Sequence, residues 1–116
     1  MKKTKGEIVD TKAGVQVGDI FHCSWGYDMT INDYYQVVAL TPSGKSVKVR
    51  KLNKETVNSG EFFTGREMPI KDNFVSEHIK THRLQTSYMD TPQIKISEYS
   101  WARLWDGVSS YFNHMD

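Results

Sequence analysis

DYYQVVALTPSGKSVKVRKL, residues 33–52, decides the fold class. Its first half carries Tyr34, Tyr35, Val37 and Val38, side chains that favour the pleated backbone of a strand. TPSGK then reads as a tight turn, because Pro42 presets φ and Gly44 can take a positive φ. In the returning half Val47 and Val49 alternate with Lys48 and Arg50, the period of two that marks a strand with one apolar face. Leu52 falls out of that alternation, which predicts a bulge near Arg50 and Lys51. The stretch is a β-hairpin.

Upstream, VQVGDIFHCSW (15–25) places a turn at Gly18-Asp19 and a strand from Ile20 to Trp25. GYDMTIN (26–32) has no period and reads as a loop. Residues 1–14 lack periodicity and are expected to form a loose arm, leaving 15–116 as one domain. Downstream, EFFTGREMPI (61–70) suggests a strand interrupted by Gly65 and ended by Pro69. NFVSEHIKTHRL (73–84) fits either a short helix or an irregular crossing, while LQTSYM and QIKIS alternate as strands. A single helical turn is expected around Trp101–Trp105. Short strands at this spacing predict a mainly β protein: a small antiparallel barrel or strongly bent sheet with a short helical turn. Residues 17–52, a strand, a long first loop and a hairpin, resemble the opening of an SH3-like barrel.

At 116 residues, with 38% hydrophobic and 25% charged side chains, the chain suits one modest core. No apolar run is long enough to span a membrane, and no apolar stretch follows the N-terminal lysines. A cytoplasmic protein without a membrane partner is therefore expected. Cys23 is the lone cysteine, which suits a reducing compartment and reads as a small apolar strand residue. A net charge of +1 argues against holding a polyanion by bulk charge. The charges are nevertheless segregated. Lys45, Lys48, Arg50, Lys51 and Lys54 lie between residues 42 and 54 without an acid, while Asp19, Asp28 and Asp33 lie between 19 and 33 without a lysine or arginine. Lys48 and Arg50 are the candidates for phosphate contact.

Aromatic residues crowd two windows: Phe21, Trp25, Tyr27, Tyr34 and Tyr35, then Tyr99, Trp101, Trp105, Tyr111 and Phe112. Each window alone would leave a large apolar patch exposed, so the two are expected to meet, with Trp25 and Trp105 in contact. Tyr and Trp also combine a flat apolar face with a polar tip, which suits stacking on a base. Trp25, Tyr27 and Trp105 lie beside glycines, and Asp28, Thr30, Asn32 and Asp33 offer hydrogen bonds to a ring edge or ribose. These seven form the candidate ligand site. The competing reading is a core corner whose polar residues cap their own backbone.

SWGYDMTINDYYQVV together with SEYSWARLWDG resembles a family of small proteins carried by phages, plasmids and their hosts. The matching residues are Trp25, Gly26, Tyr27, Asp28, Thr30, Asp33, Tyr35 and Val37, then Trp105, Asp106 and Gly107. The resemblance implies a mobile-element setting, in which short proteins inhibit host defences by binding. It implies no activity.

Catalytic motifs are lacking: no GxSxG elbow surrounds Ser24 and no phosphate loop occurs. His78 and His82 stand four apart, a metal-ligand spacing on a helix, but no HExxH glutamate or second cysteine accompanies them. No cofactor or metal is expected. The leading expectation is a non-enzymatic binder of a nucleotide-like signal or of a host-defence protein. The alternative is an SH3-like nucleic-acid-binding module using the basic strand 45–54, and a third reading is an enzyme built on His22, Asp28 or Asp33. Homo-oligomerisation is left open.

Overall fold

The computed structural model describes residues 14–26, 30–59, 64–86, 91–98 and 100–113. Its strands are β1 (Ile20–Trp25), β2 (Ile31–Leu40), β3 (Ser46–Ser59), β4 (Thr64–Phe74), β5 (Lys80–Thr86), β6 (Pro92–Ser97), β7 (Ser100–Leu104) and β8 (Ser110–Asn113). In the order β2, β1, β7, β6, β5, β3 they pair antiparallel, and β3 pairs back with β2. The result is a closed six-stranded antiparallel barrel, so the expected mainly β fold is the one found. The short helical turn is not: no helix occurs among the described residues. Trp101–Leu104 belong to β7 because Ala102 and Leu104 pack into the barrel, a period of two that only a strand delivers. Of the expected arm, only Gly14 lies within the described residues.

The interior is filled by Phe21, Cys23, Val37, Val47, Val49, Ile94 and Ala102, with Leu40, Leu84 and Leu104 packed against them. Val15 joins this core from the turn before β1. That turn is tied to β2: Gly18 N donates to Val37 O (2.9 Å) and Val37 N donates to Asp19 O (2.8 Å). There β2 slips its register on β3, between Val37 and Ala39. The bulge expected near Arg50 and Lys51 thus lies on the opposite strand. The hairpin turn itself is as read, with Gly44 at φ 74° and its N–H donated to Thr41 O (2.9 Å).

Leu52 is not out of phase. Val47, Val49 and Lys51 share the inward face, with Lys51 at the barrel mouth, and Leu52 belongs to the outward face. It is buried because that face is covered. At about 3.3 Å per residue the 14-residue β3 reaches roughly 46 Å, close to the molecule's 50 Å long axis. Its second half leaves the barrel, pairs with β4, and β4 pairs with β8. This second sheet encloses Ile20, Tyr34 and Leu52 with Phe74 and Trp105.

β4 runs through both Gly65 and Pro69 instead of ending at the proline. Pairing with β8 stops at Glu67, so Pro69 stands where the strand edge is open and a missing N–H is tolerated. Leu52 faces Phe74 but Lys54 faces Pro69, so residues 70–73 bow out of the ladder. In this bow Asp72 adopts φ 64°, a left-handed conformation that aspartate accepts more readily than most residues. Gln36 holds it twice, donating to Asp72 Oδ1 (2.7 Å) and accepting from Asp72 N (2.9 Å). Residues 75–79 then cross irregularly to β5, so His78 and His82 do not share a helical face.

Candidate functional site

Antiparallel pairing sets His22 of β1 directly beside Arg103 of β7. Both point away from the barrel, because their neighbours Phe21, Cys23, Ala102 and Leu104 point in. The same alternation sends Ser24 and Trp101 outward. Arg66 of β4 and the segment Trp105–Ser110 wall this patch, leaving an open cleft of about 470 Å³. Four aromatic or cationic side chains dominate it: Trp101, Trp105, Arg66 and Arg103.

Each is placed by a separate contact. Trp105 Nε1 donates to Val108 O (2.8 Å) and its ring meets the edge of Tyr34, centroids 6.1 Å apart. Its backbone N donates to Ile20 O (2.8 Å), which anchors the wall to the start of β1. Arg66 Nε donates to Ser109 Oγ (2.9 Å), and a second guanidinium nitrogen donates to Ser109 O. Among the described residues Arg103 makes one long contact, to Gln93 Oε1 (3.5 Å), and it is exposed, which leaves its guanidinium available. Lys95 lies over the Trp101 ring, 5.8 Å from its centroid. Asp106 Oδ1 accepts from Val108 N (2.9 Å), which shapes the turn between β7 and β8. Among the described residues the cleft therefore holds two guanidinium groups against one carboxylate.

Behind His22 lies a buried polar network that joins the two sheets. Asn32 Nδ2 donates to Glu67 Oε2 (2.9 Å) and to Tyr111 O (2.8 Å). Both are acceptors, so the amide oxygen must face His22, whose Nε2 lies 2.7 Å from it. Neutral His22 therefore carries its proton on Nε2, and Nδ1 is its acceptor. The imidazole stacks on Tyr34 at 4.8 Å between centroids and 16° between planes. Glu67, 3% exposed, is balanced by Lys54 Nζ at 3.4 Å, and the same ammonium donates to Asn32 O. Burial pushes the Tyr34 phenol up, opposed by a hydrogen bond from Ser110, with Glu67 and Asp106 adding to the rise. The phenol is a neutral donor, reaching Glu67 O at 3.4 Å.

The residues singled out by the sequence are divided between places. Trp105 lines the cleft and Asn32 braces the histidine behind it. Trp25 and Asp33 sit together at the barrel mouth, with Trp25 Nε1 donating to Asp33 Oδ2 (2.7 Å) and Lys51 3.4 Å from Asp33 Oδ1. Trp25 and Trp105 do not meet. Trp105 is bonded to Ile20, and Trp25 lies five residues farther along β1, about 16 Å away, with 47% of its surface exposed. Thr30 is half-buried just before β2, whereas Tyr27 and Asp28 lie outside the described residues.

The basic strand is likewise dispersed. Lys48 is exposed, but Arg50 donates twice to Ser76 O (3.1 and 2.7 Å) and covers the Phe74 ring at 3.9 Å. Lys51 and Lys54 are held by Asp33 and Glu67. Arg66 and Arg103 were invisible as site residues, because a lone arginine on an alternating strand has no local pattern to mark it. The pairing of His22 with Arg103 reveals Arg103, and the placement of β4 beside β8 brings in Arg66.

Among the described residues no cluster of three or more His, Cys, Asp or Glu side chains could hold a metal. No helix among them is long and apolar enough to cross a membrane. Comparisons with protein-family models, with curated proteins and with solved structures return no match, so the functional reading stands on the residues of this cleft.

Proposed function

We propose that the protein is a non-enzymatic binder that takes a nucleotide-like small molecule into the cleft between β1, β7 and the Trp105–Ser110 wall. The observation that carries this reading is the convergence of Trp101 and Trp105 with Arg66 and Arg103 in one open recess. Indole faces stack bases, and the exposed Arg103 guanidinium can match phosphate oxygens in pairs. Arg66, already donating to Ser109, adds positive charge to the recess. Serine hydroxyls and Asp106 stand at the same rim and offer hydrogen bonds to a ribose or a ring edge. The volume of about 470 Å³ falls within the roughly 300–1,000 Å³ of small-molecule sites. The resemblance to small phage- and plasmid-borne proteins supports a setting: in the host cytoplasm, holding a nucleotide-like signal would blunt a defence. The nucleic-acid alternative has weaker support, since three of its five basic side chains are already engaged.

Calorimetric titration with a panel of mononucleotides, dinucleotides and cyclic dinucleotides tests the reading. At least one class should bind. Trp101→Ala and Arg103→Ala should each weaken it by about 1–3 kcal/mol, the usual worth of a stacked base or a charged hydrogen bond. Both positions are exposed, so melting should hardly change. Binding by no member of the panel, or equal binding by both variants, rejects the reading.

A further inference from the structure

The barrel is open at the end away from Val15. There Val49 and Ile96, continuous with the interior packing, floor a cavity of about 240 Å³ that is separate from the cleft. Val75 forms an apolar lip, half-exposed in the crossing before β5. The remaining wall carries Lys51, Lys80, His78 and His82, with burial pushing the His82 imidazole below its usual range, and among the described residues no carboxylate lines it. Lys51 is partly neutralised by Asp33. Lys80 has no ion-pair partner among the described residues. Tyr35 completes the wall, its phenol pushed up to about 12 by burial, then by Asp33 and Cys23, so it stays a neutral hydrogen-bond donor.

An apolar floor beside Lys80, with Tyr35 as a neutral donor and Asp33 turned to Lys51, suits an amphiphile with one negative end. The volume falls below the roughly 300–1,000 Å³ of drug-sized sites, which suits a compact body better than a nucleotide. We infer that the barrel mouth is a second binding site, for a small apolar monocarboxylate of about the size of benzoate, with its carboxylate directed to Lys80. This inference is independent of the nucleotide reading, because the two recesses share no lining residue.

Benzoate and its neutral isostere benzamide are the probes, each titrated into the full chain and followed by amide chemical shifts. Benzoate should bind at least tenfold tighter than benzamide, with shifts centred on Tyr35, Val75, Lys80 and His82. Lys80→Met should lower benzoate affinity at least tenfold and leave benzamide unchanged. Val75→Glu, at an exposed position, should abolish benzoate binding by placing a negative charge on the lip. Equal affinities for the two probes, benzoate binding unaffected by Lys80→Met, or shifts centred on Trp101 and Arg103 would each overturn the assignment.

Discussion

β2 is buried on both faces, and by different chemistry. Its inward residues Tyr35 and Val37 meet Phe21, Val49 and Ile94 in the barrel, where volume and apolarity are what matter. Its outward residues Asn32, Tyr34 and Gln36 meet the second sheet through directed bonds to Glu67, Tyr111 and Asp72. Apolar packing accepts many arrangements of similar volume, whereas a buried hydrogen-bond network is favourable in one register only. The barrel interior thus supplies stability. The outer face sets where β4 and β8 lie, and hence where Arg66 stands relative to His22 and Arg103.

The largest effect should come from the barrel side. Phe21→Ala, at a fully buried position, should cost about 3–5 kcal/mol by urea denaturation, a large share of a typical domain stability of about 5–15 kcal/mol. A loss below about 1 kcal/mol would show that the second sheet, not the barrel, dominates the fold.

On the network side, Lys54→Met leaves the Glu67 carboxylate buried without its counter-charge. The expected cost is about 3 kcal/mol, the lower part of the range for breaking a buried pair, since Lys54 keeps some solvent. Adding Glu67→Gln should recover most of that loss, because the double variant removes the charge instead of stranding it. No recovery in the double variant would mean that Lys54 acts by packing alone, and the contrast between the two faces would lose its electrostatic half.

The smallest effect concerns a titratable group placed on the apolar side. Burial most of all, with Lys80 adding to it, pushes the His82 imidazole below its usual range, against an upward pull from a hydrogen bond with the Lys95 backbone. The unfolded chain then takes up a proton near pH 6.5 that the folded chain still refuses. The stability contributed is therefore present above about pH 6.5 and is lost as pH falls from there through the folded value. His82→Gln should flatten the stability profile between about pH 7 and 5. An unchanged slope assigns it to other groups.

How much of this could be read from the sequence differs by element. The hairpin at 33–52 and its turn are local: propensity, period and a glycine free to take φ 74° lie within a few residues. Cys23 was legible for the same reason, and burial, with Asp33 adding to it, pushes its thiol up, as suits a packed strand residue. Trp25 was misplaced. Aromatic density says that rings need cover, but along an extended strand it does not say which end of the barrel provides it. Arg103 gained its meaning from His22, which is remote in sequence and adjacent only through strand pairing.

The sequence by itself determined that the chain is β-rich, where its hairpin turns, and which side chains share a face of each strand. A period of two follows from backbone geometry within one strand and needs nothing else. Which of those faces would be covered was decided only by the tertiary structure. Leu52 looked out of place until β3 was seen to leave the barrel and pair with β4, and Asn32 looked like a loop ligand until Glu67 and Tyr111 closed on it. Covering a face requires strands distant in the chain to pair in one register. That choice is made by the sum of many weak contacts across the fold, and no single stretch of residues contains it.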